Sequence, residues 1–284
     1  MKTKQIKNLL QKANLDWTVS MHNLETQDTS IVIPKHKAII RDDTQEVMGL
    51  VKSQYVPFQN EELMELLVKI SGKTGLELHS GGFFKAGQRV WAQLKSNDLL
   101  LPDGDKIKGY ITGVNSHDGS SSLAFGNWLY TVSCSNSWWK AYREVQSRLR
   151  HLSTMHPKID LILNQIDELL LAEKETFEDV KRLQTYEVDD LTVWMAISKW
   201  FELSKEERLA DLSKATLIKI GEFNSVLEME MDAKGKNGWG LFSGVTKYTT
   251  HFLRKEKDTT EDKLFGLVGS KEQEIYAYLK EAMV

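Results

Sequence analysis

Two successive segments of this chain alternate apolar and polar residues with a period of two, and a polar turn separates them. QRVWAQLK (88–95) sends Val90, Ala92 and Leu94 one way and Arg89, Trp91, Gln93 and Lys95 the other. LPDGDK (101–106) is a turn. IKGYITGV (107–114) alternates again, with Lys108 and Tyr110 opposite Ile107 and Ile111. SHDGSS (116–121) carries an Asp-Gly hairpin signal, and LAFGNWLYTVSC (123–134) is the return strand. Residues 83–134 therefore predict a three-stranded antiparallel meander. The fold class that follows is α+β, with helices flanking a meander in the first half and a mainly helical second half.

The rest of the chain supports that division. WTVSMHNL, HKAIIRDD and MGLVKSQYVPF, within 16–58, are β-branched or aromatic runs split by polar turns. QNEELMELLVKISGKTG (59–75) is a helix, because Leu63, Leu66, Leu67 and Ile70 share one face and Gly72 or Gly75 stops it. Residues 2–13 read as a short basic amphipathic helix. A basic helix is expected over 136–155, capped near Ser135 or Asn136 and carrying Lys140, Arg143, Arg148 and Arg150. Further helices are expected from Pro157 to about 184, and at 188–203, 205–220, 238–255 and 270–283. The last has Ser270 and Gln273 in a capping-box pattern. Two regions follow, a β-rich core over 1–156 and a helical region over 157–284 that packs on it, as a second domain or as part of the same one.

Charge separates the same halves. Residues 1–160 carry 20 Lys and Arg against 16 Asp and Glu, and residues 161–284 carry 17 against 24. One cysteine, Cys134, excludes an intrachain disulfide framework and disfavours a thiolate zinc site. The N-terminal residues have no apolar signal core, and no run of about 18 apolar residues exists to span a membrane. A cytoplasmic protein without a membrane segment is expected.

Several chemistries compete for the polar stretch from Asn115 to Arg143. Cys134 with His117 and Asp118 has the residue types of a nucleophile, a base and an orienting group. Cys134 nonetheless ends an apolar strand, where a small buried cysteine is the commoner state. The histidines are scattered without metal-ligand spacing, and Asp103, Asp105 and Asp118 fall in turns, where Asp bonds its own backbone. The glycine-rich segments 80–88 and 234–240 lack the phosphate-loop pattern, so neither a cofactor nor a metal is expected. The remaining pattern is cations interleaved with aromatic rings, the chemistry that holds a single nucleic-acid strand. Its expected phosphate contacts are Arg89, Lys108, Lys140, Arg143, Arg148 and Arg150, with Trp91 and Tyr110 as stacking residues.

The residues His117, Asp118, Gly119 and Ser120, then Cys134 and Asn136, then Arg150 with His151, form a signature. It resembles that of a phage- and plasmid-borne family of uncharacterised function. NLDWTV (14–19), residues 38–63 and GWGLFSGVTKYTTH (238–251) are similar to the same family, although Ser243 and Gly244 stand where it carries Asn-Ala. The order helix, meander, basic helix resembles the core of single-strand annealing recombination proteins. That resemblance implies an ATP-independent protein that binds single-stranded DNA and assembles as a homo-oligomeric ring or filament. It also implies a role in recombination or replication, with a replication protein of phage or host as a further partner. Two other readings stay open: an inhibitor of a host defence complex, and a metal-dependent nuclease acting through Asp103, Asp105 or Asp118.

Overall fold

The computed structural model describes residues 2–102, 104–133, 135–141, 148–204, 209–254 and 258–283. The observed fold is α+β. The first element is helix α1 (Lys2–Lys12), followed by strands β1 (Val19–Glu25), β2 (Val32–Arg41) and β3 (Val47–Lys52), then helix α2 (Asn60–Thr74). Strands β4 (Glu77–Phe84), β5 (Arg89–Leu100), β6 (Lys106–Ser116), β7 (Leu123–Thr131), β8 (Ser137–Ala141) and β9 (Arg148–Leu149) come next. The remaining helices are α3 (Ile159–Asn164), α4 (Ile166–Thr185), α5 (Asp190–Phe201), α6 (Lys214–Lys234), α7 (Gly238–Lys247), α8 (Thr260–Phe265) and α9 (Leu267–Ala282).

Two sheets form. One is the antiparallel order β1-β2-β3, and the other is β4-β5-β6-β7-β8, with β9 pairing β7. The expected meander is β5-β6-β7, and Val90, Ala92 and Leu94 are fully buried on its inner face. Strand β4 was not expected. It pairs antiparallel with β5, and Gly81 and Gly82 let it lie close to Ala92 and to the ring of Trp91. Helix α2 stops at Gly75, whose φ of 75° is the left-handed conformation that glycine adopts without strain.

The expected basic helix over 136–155 is corrected at its described residues, with 142–147 lying outside them. Residues 137–141 and 148–149 are strands, and 150–155 are turns. Asn136 does not cap a helix; it is buried and its Nδ2 donates to the Ser243 carbonyl. Trp138 and Trp139 are buried on successive positions of β8, so the run reads neither as a half-buried strand nor as an amphipathic helix. Of the helix expected at 205–220, residues 205–208 lie outside the described residues, 209–211 form a 3-10 turn, and α6 starts where Ser213 accepts from the Thr216 amide. Ser270 and Gln273 do not cap α9, which starts at Leu267 with Gly266 before it. Residues 238–255 divide into α7 and a π-helical turn, Tyr248–Phe252.

The chain forms two compact units, each assembled from separated segments. Unit 1 holds residues 1–97, 109–127 and 141–170; unit 2 holds 98–108, 128–140 and 171–284. In unit 1, Ile6 and Leu10 of α1, the apolar face of α2 and the inner positions of β5 and β6 form one core. Unit 2 has its own core of Trp138, Phe223, Trp239, Phe242 and Tyr276 with the stripes of α4 to α7. In that core Gly244 takes the place where the resemblance calls for alanine. A Cβ there would stand 2.7 Å from Leu227 Cα, so α6 and α7 approach to a distance only glycine permits.

Candidate functional site

The turn between β6 and β7 is built on a buried polar network in unit 1. Asn60, the first residue of α2, is 1% exposed. Its Nδ2 donates to the Leu15 and Trp17 carbonyls at 3.2 Å each, which orients the amide and leaves Oδ1 facing His117 Nε2 at 2.9 Å. The proton of His117 therefore sits on Nε2. Its backbone amide donates to the Gln88 carbonyl at 2.7 Å, and the Trp17 ring meets the imidazole edge-on. Burial, with the nearby His151, pushes the His117 pKa down to about 3, against the opposing pull of Asp118. His117 is thus a neutral structural group at neutral pH.

In front of this anchor the SHDGSSS run is tied to itself. Ser116 Oγ donates to the Ser121 carbonyl at 2.8 Å and accepts from the Ser121 amide at 2.9 Å. The Ser120 amide donates to Asp118 Oδ1 at 2.8 Å, and Gly119 turns the chain at φ 74°. Arg89 Nε lies 3.3 Å from Ser120 Oγ and 3.9 Å from Asp118 Oδ2. Tyr55 Oη donates to the Ser116 carbonyl at 2.8 Å, and its ring stacks on His151 at 4.8 Å. Burial raises the Tyr55 pKa, so the hydroxyl keeps its proton. Strand β3 closes the other side. A Cβ on Gly49 would stand 2.8 Å from Asp118 Cα.

A cavity of about 500 Å³ opens beside the turn, lined by Leu50, Lys52, Tyr55, residues 118–122, Arg150 and His151. Lys52 and Arg150 are exposed at its rim. His151 forms its back. It is 6% exposed, its Nδ1 faces the Val56 carbonyl at 3.3 Å, and burial lowers its pKa against the opposing carbonyls of Val56 and Ser121. Two cations and a row of serine hydroxyls suit an anionic oxygen-rich group. His117 Nε2 is bonded to Asn60, and Asp118 is bonded to Ser120 and faces Arg89.

The other expected site residues are distributed as follows. Arg89 reaches the turn at Ser120 and Asp118, and Arg150 lines the cavity beside it. Trp91 is half-buried, its ring over Gly82. Tyr110 is buried, with His79 at 4.9 Å and the Lys95 ammonium 5.1 Å from its ring, so its faces are covered. Lys108 belongs to unit 2 and is half-buried. Cys134, Arg143 and Asp103 lie outside the described residues, as do the side chains of Lys140 and Arg148. Asp105 is tied to Ser133 Oγ at 2.6 Å and to Lys234 at 3.3 Å. The sequence reading missed Lys52, Tyr55 and Asn60. No local signal marked Asn60, because the carbonyls its amide holds belong to Leu15 and Trp17, 45 and 43 residues away.

Fold and site together define an α+β protein with a preorganised polar pocket whose rim is cationic. The chain belongs to the family described as Domain of unknown function (DUF932), whose model matches residues 47–268. No match was found among curated proteins or among solved structures. No helix among the described residues is long and apolar enough to cross a membrane.

Proposed function

We propose that this protein binds single-stranded DNA without ATP and promotes strand annealing as a homo-oligomer, with the pocket beside the SHDGSSS turn receiving a phosphate group. The observation that carries this reading is the convergence of Arg89, Arg150 and Lys52, distant in sequence, on one self-bonded turn. Arg89 offsets the Asp118 carboxylate, so the rim cations and the serine hydroxyls are left to meet an anion. The turn is held by its own hydrogen bonds and by Asn60, so little ordering cost remains on binding. The resemblance of the His117–Ser120 turn and the Arg150–His151 pair to proteins of mobile elements supports a role in recombination or replication.

The test is a gel shift of a labelled oligonucleotide with the double variant Lys52→Glu, Arg150→Glu. Both residues are exposed, so circular dichroism should be unchanged. Affinity at low salt should fall tenfold or more, and the slope of log affinity on log salt should shrink by roughly 1.4, at about 0.7 per contact. Affinity equal to that of the natural chain rejects the reading.

A further inference from the structure

Residues 25–36, the outer end of the β1–β2 hairpin, are exposed without exception. Ile31 is 62% exposed, Val32 55% and Ile33 41%. Single exposed aliphatic residues are common on protein surfaces, but three in succession on an arm with no core of its own mark a contact surface. The neck of the arm is basic. Lys35 and His36 follow the apolar tip, and His36 stands opposite Lys52 of β3 on the same sheet face. One pair further along that face lie His22, Ala38 and Leu50. Lys52 and Leu50 both line the pocket beside the turn. The pocket rim, the basic neck and the apolar tip thus follow one another along one unit. The nearby acids are Glu25, opposite Val32, and Asp28 in the connecting loop.

We infer that the arm is a second contact on the nucleic acid, in which Ile31, Val32 and Ile33 insert between neighbouring bases as an apolar wedge. This rests on the nucleic-acid reading above. A single strand offers the two chemistries in the required order. Its phosphates meet Lys52, with His36 opposite it on the same face, and its bases present apolar faces once they part. The cations that continue from the pocket to the tip favour this occupant over a neutral protein surface.

The experiment uses the full chain and an oligonucleotide carrying 2-aminopurine, whose fluorescence rises when its base is unstacked. The natural chain should raise the signal on binding. The triple variant Ile31→Ser, Val32→Ser, Ile33→Ser, altered only at exposed positions, should bind about tenfold more weakly and give no rise. An equal rise with the variant overturns the wedge. So does a variant that keeps the rise but changes mass in light scattering, because the tip then joins copies of the chain. So does a variant that keeps the rise but loses binding to anionic vesicles. If the natural chain binds no oligonucleotide at low salt, the nucleic-acid reading falls as well. If only the Lys52→Glu, Arg150→Glu variant loses binding, the wedge alone falls.

Discussion

Each unit buries a polar cluster, and the two clusters solve opposite problems. In unit 1 the cluster is neutral: Asn60 and His117 share a hydrogen bond, and burial keeps the imidazole uncharged. Its task is to hold a surface turn in one shape. In unit 2 the cluster is charged. Lys263 and Glu272 are 2.9 Å apart with side chains fully buried, and Lys263 also donates to Thr250 Oγ1 and to the Ser137 carbonyl. Burial pulls Lys263 down and pushes Glu272 up, while their mutual attraction opposes both shifts. Gln273 donates to the Trp139 carbonyl at 3.0 Å, so side chains from α8 and α9 satisfy two carbonyls of β8, the strand that ends the sheet. The neutral cluster is sensitive to acid, whereas the charged one depends on keeping both partners.

The largest effect should come from separating the charged pair. Lys263→Met leaves a carboxylate buried without its cation and should cost about 3–5 kcal/mol in urea denaturation. Adding Glu272→Leu should recover most of that loss, because the pair itself contributes little beyond satisfying its own burial. A single variant as stable as the natural chain would mean that the pair does not hold β8.

The neutral cluster should respond less to deletion and more to pH. Asn60→Leu strands the Leu15 and Trp17 carbonyls and the His117 Nε2–H, at a cost of about 2–3 kcal/mol. The His117 pKa is about 3 in the fold against 6.5 for a free histidine, so in that window the unfolded chain binds the extra proton. Stability contributed by the neutral ring is complete above pH 6.5 and is lost as pH falls toward 3, by up to about 1.4 kcal/mol per pH unit. Denaturation at several pH values should show this slope in the natural chain and a flatter one in His117→Gln. Equal slopes would place the acid sensitivity elsewhere.

The same contrast explains which parts of the molecule were legible in the sequence. Period-two alternation over 88–95 and 107–114 was sufficient for β5 and β6, and the stripe of Leu63, Leu66, Leu67 and Ile70 for α2. Local patterns failed where burial comes from distant segments. Trp138 and Trp139 are both buried, so their strand showed no alternation, and the arginines beyond suggested a helix. Strand β4 was hidden by Gly81 and Gly82, which weaken a strand signal yet stand where a Cβ would crowd Ala92 and the Trp91 ring. At the site, the HDGS turn, Arg89 and Arg150 were readable as residues. Their convergence was not, because Lys52, Tyr55 and Asn60 reach the turn from β3, from the segment after it and from α2.

The smallest change proposed tests how closely the turn depends on its neighbours. Gly49 lies in β3 opposite Ile39, and a Cβ there would stand 2.8 Å from Asp118 Cα and 2.9 Å from its carbonyl oxygen. Both are backbone atoms, so the methyl of Gly49→Ala cannot be accommodated by a side-chain rotation. The turn must move away from β3, and the network behind it resists, because Ser116 is held by Tyr55 and His117 by Asn60. Overpacking of this kind should cost about 1 kcal/mol or slightly more. Lys52 and Arg150 keep their charges, so any loss of oligonucleotide binding measures geometry alone. A loss of a few fold with an unchanged salt slope is expected, since no phosphate contact is removed. Full binding by Gly49→Ala would show that the cations act as a diffuse patch, for which the shape of the turn is immaterial.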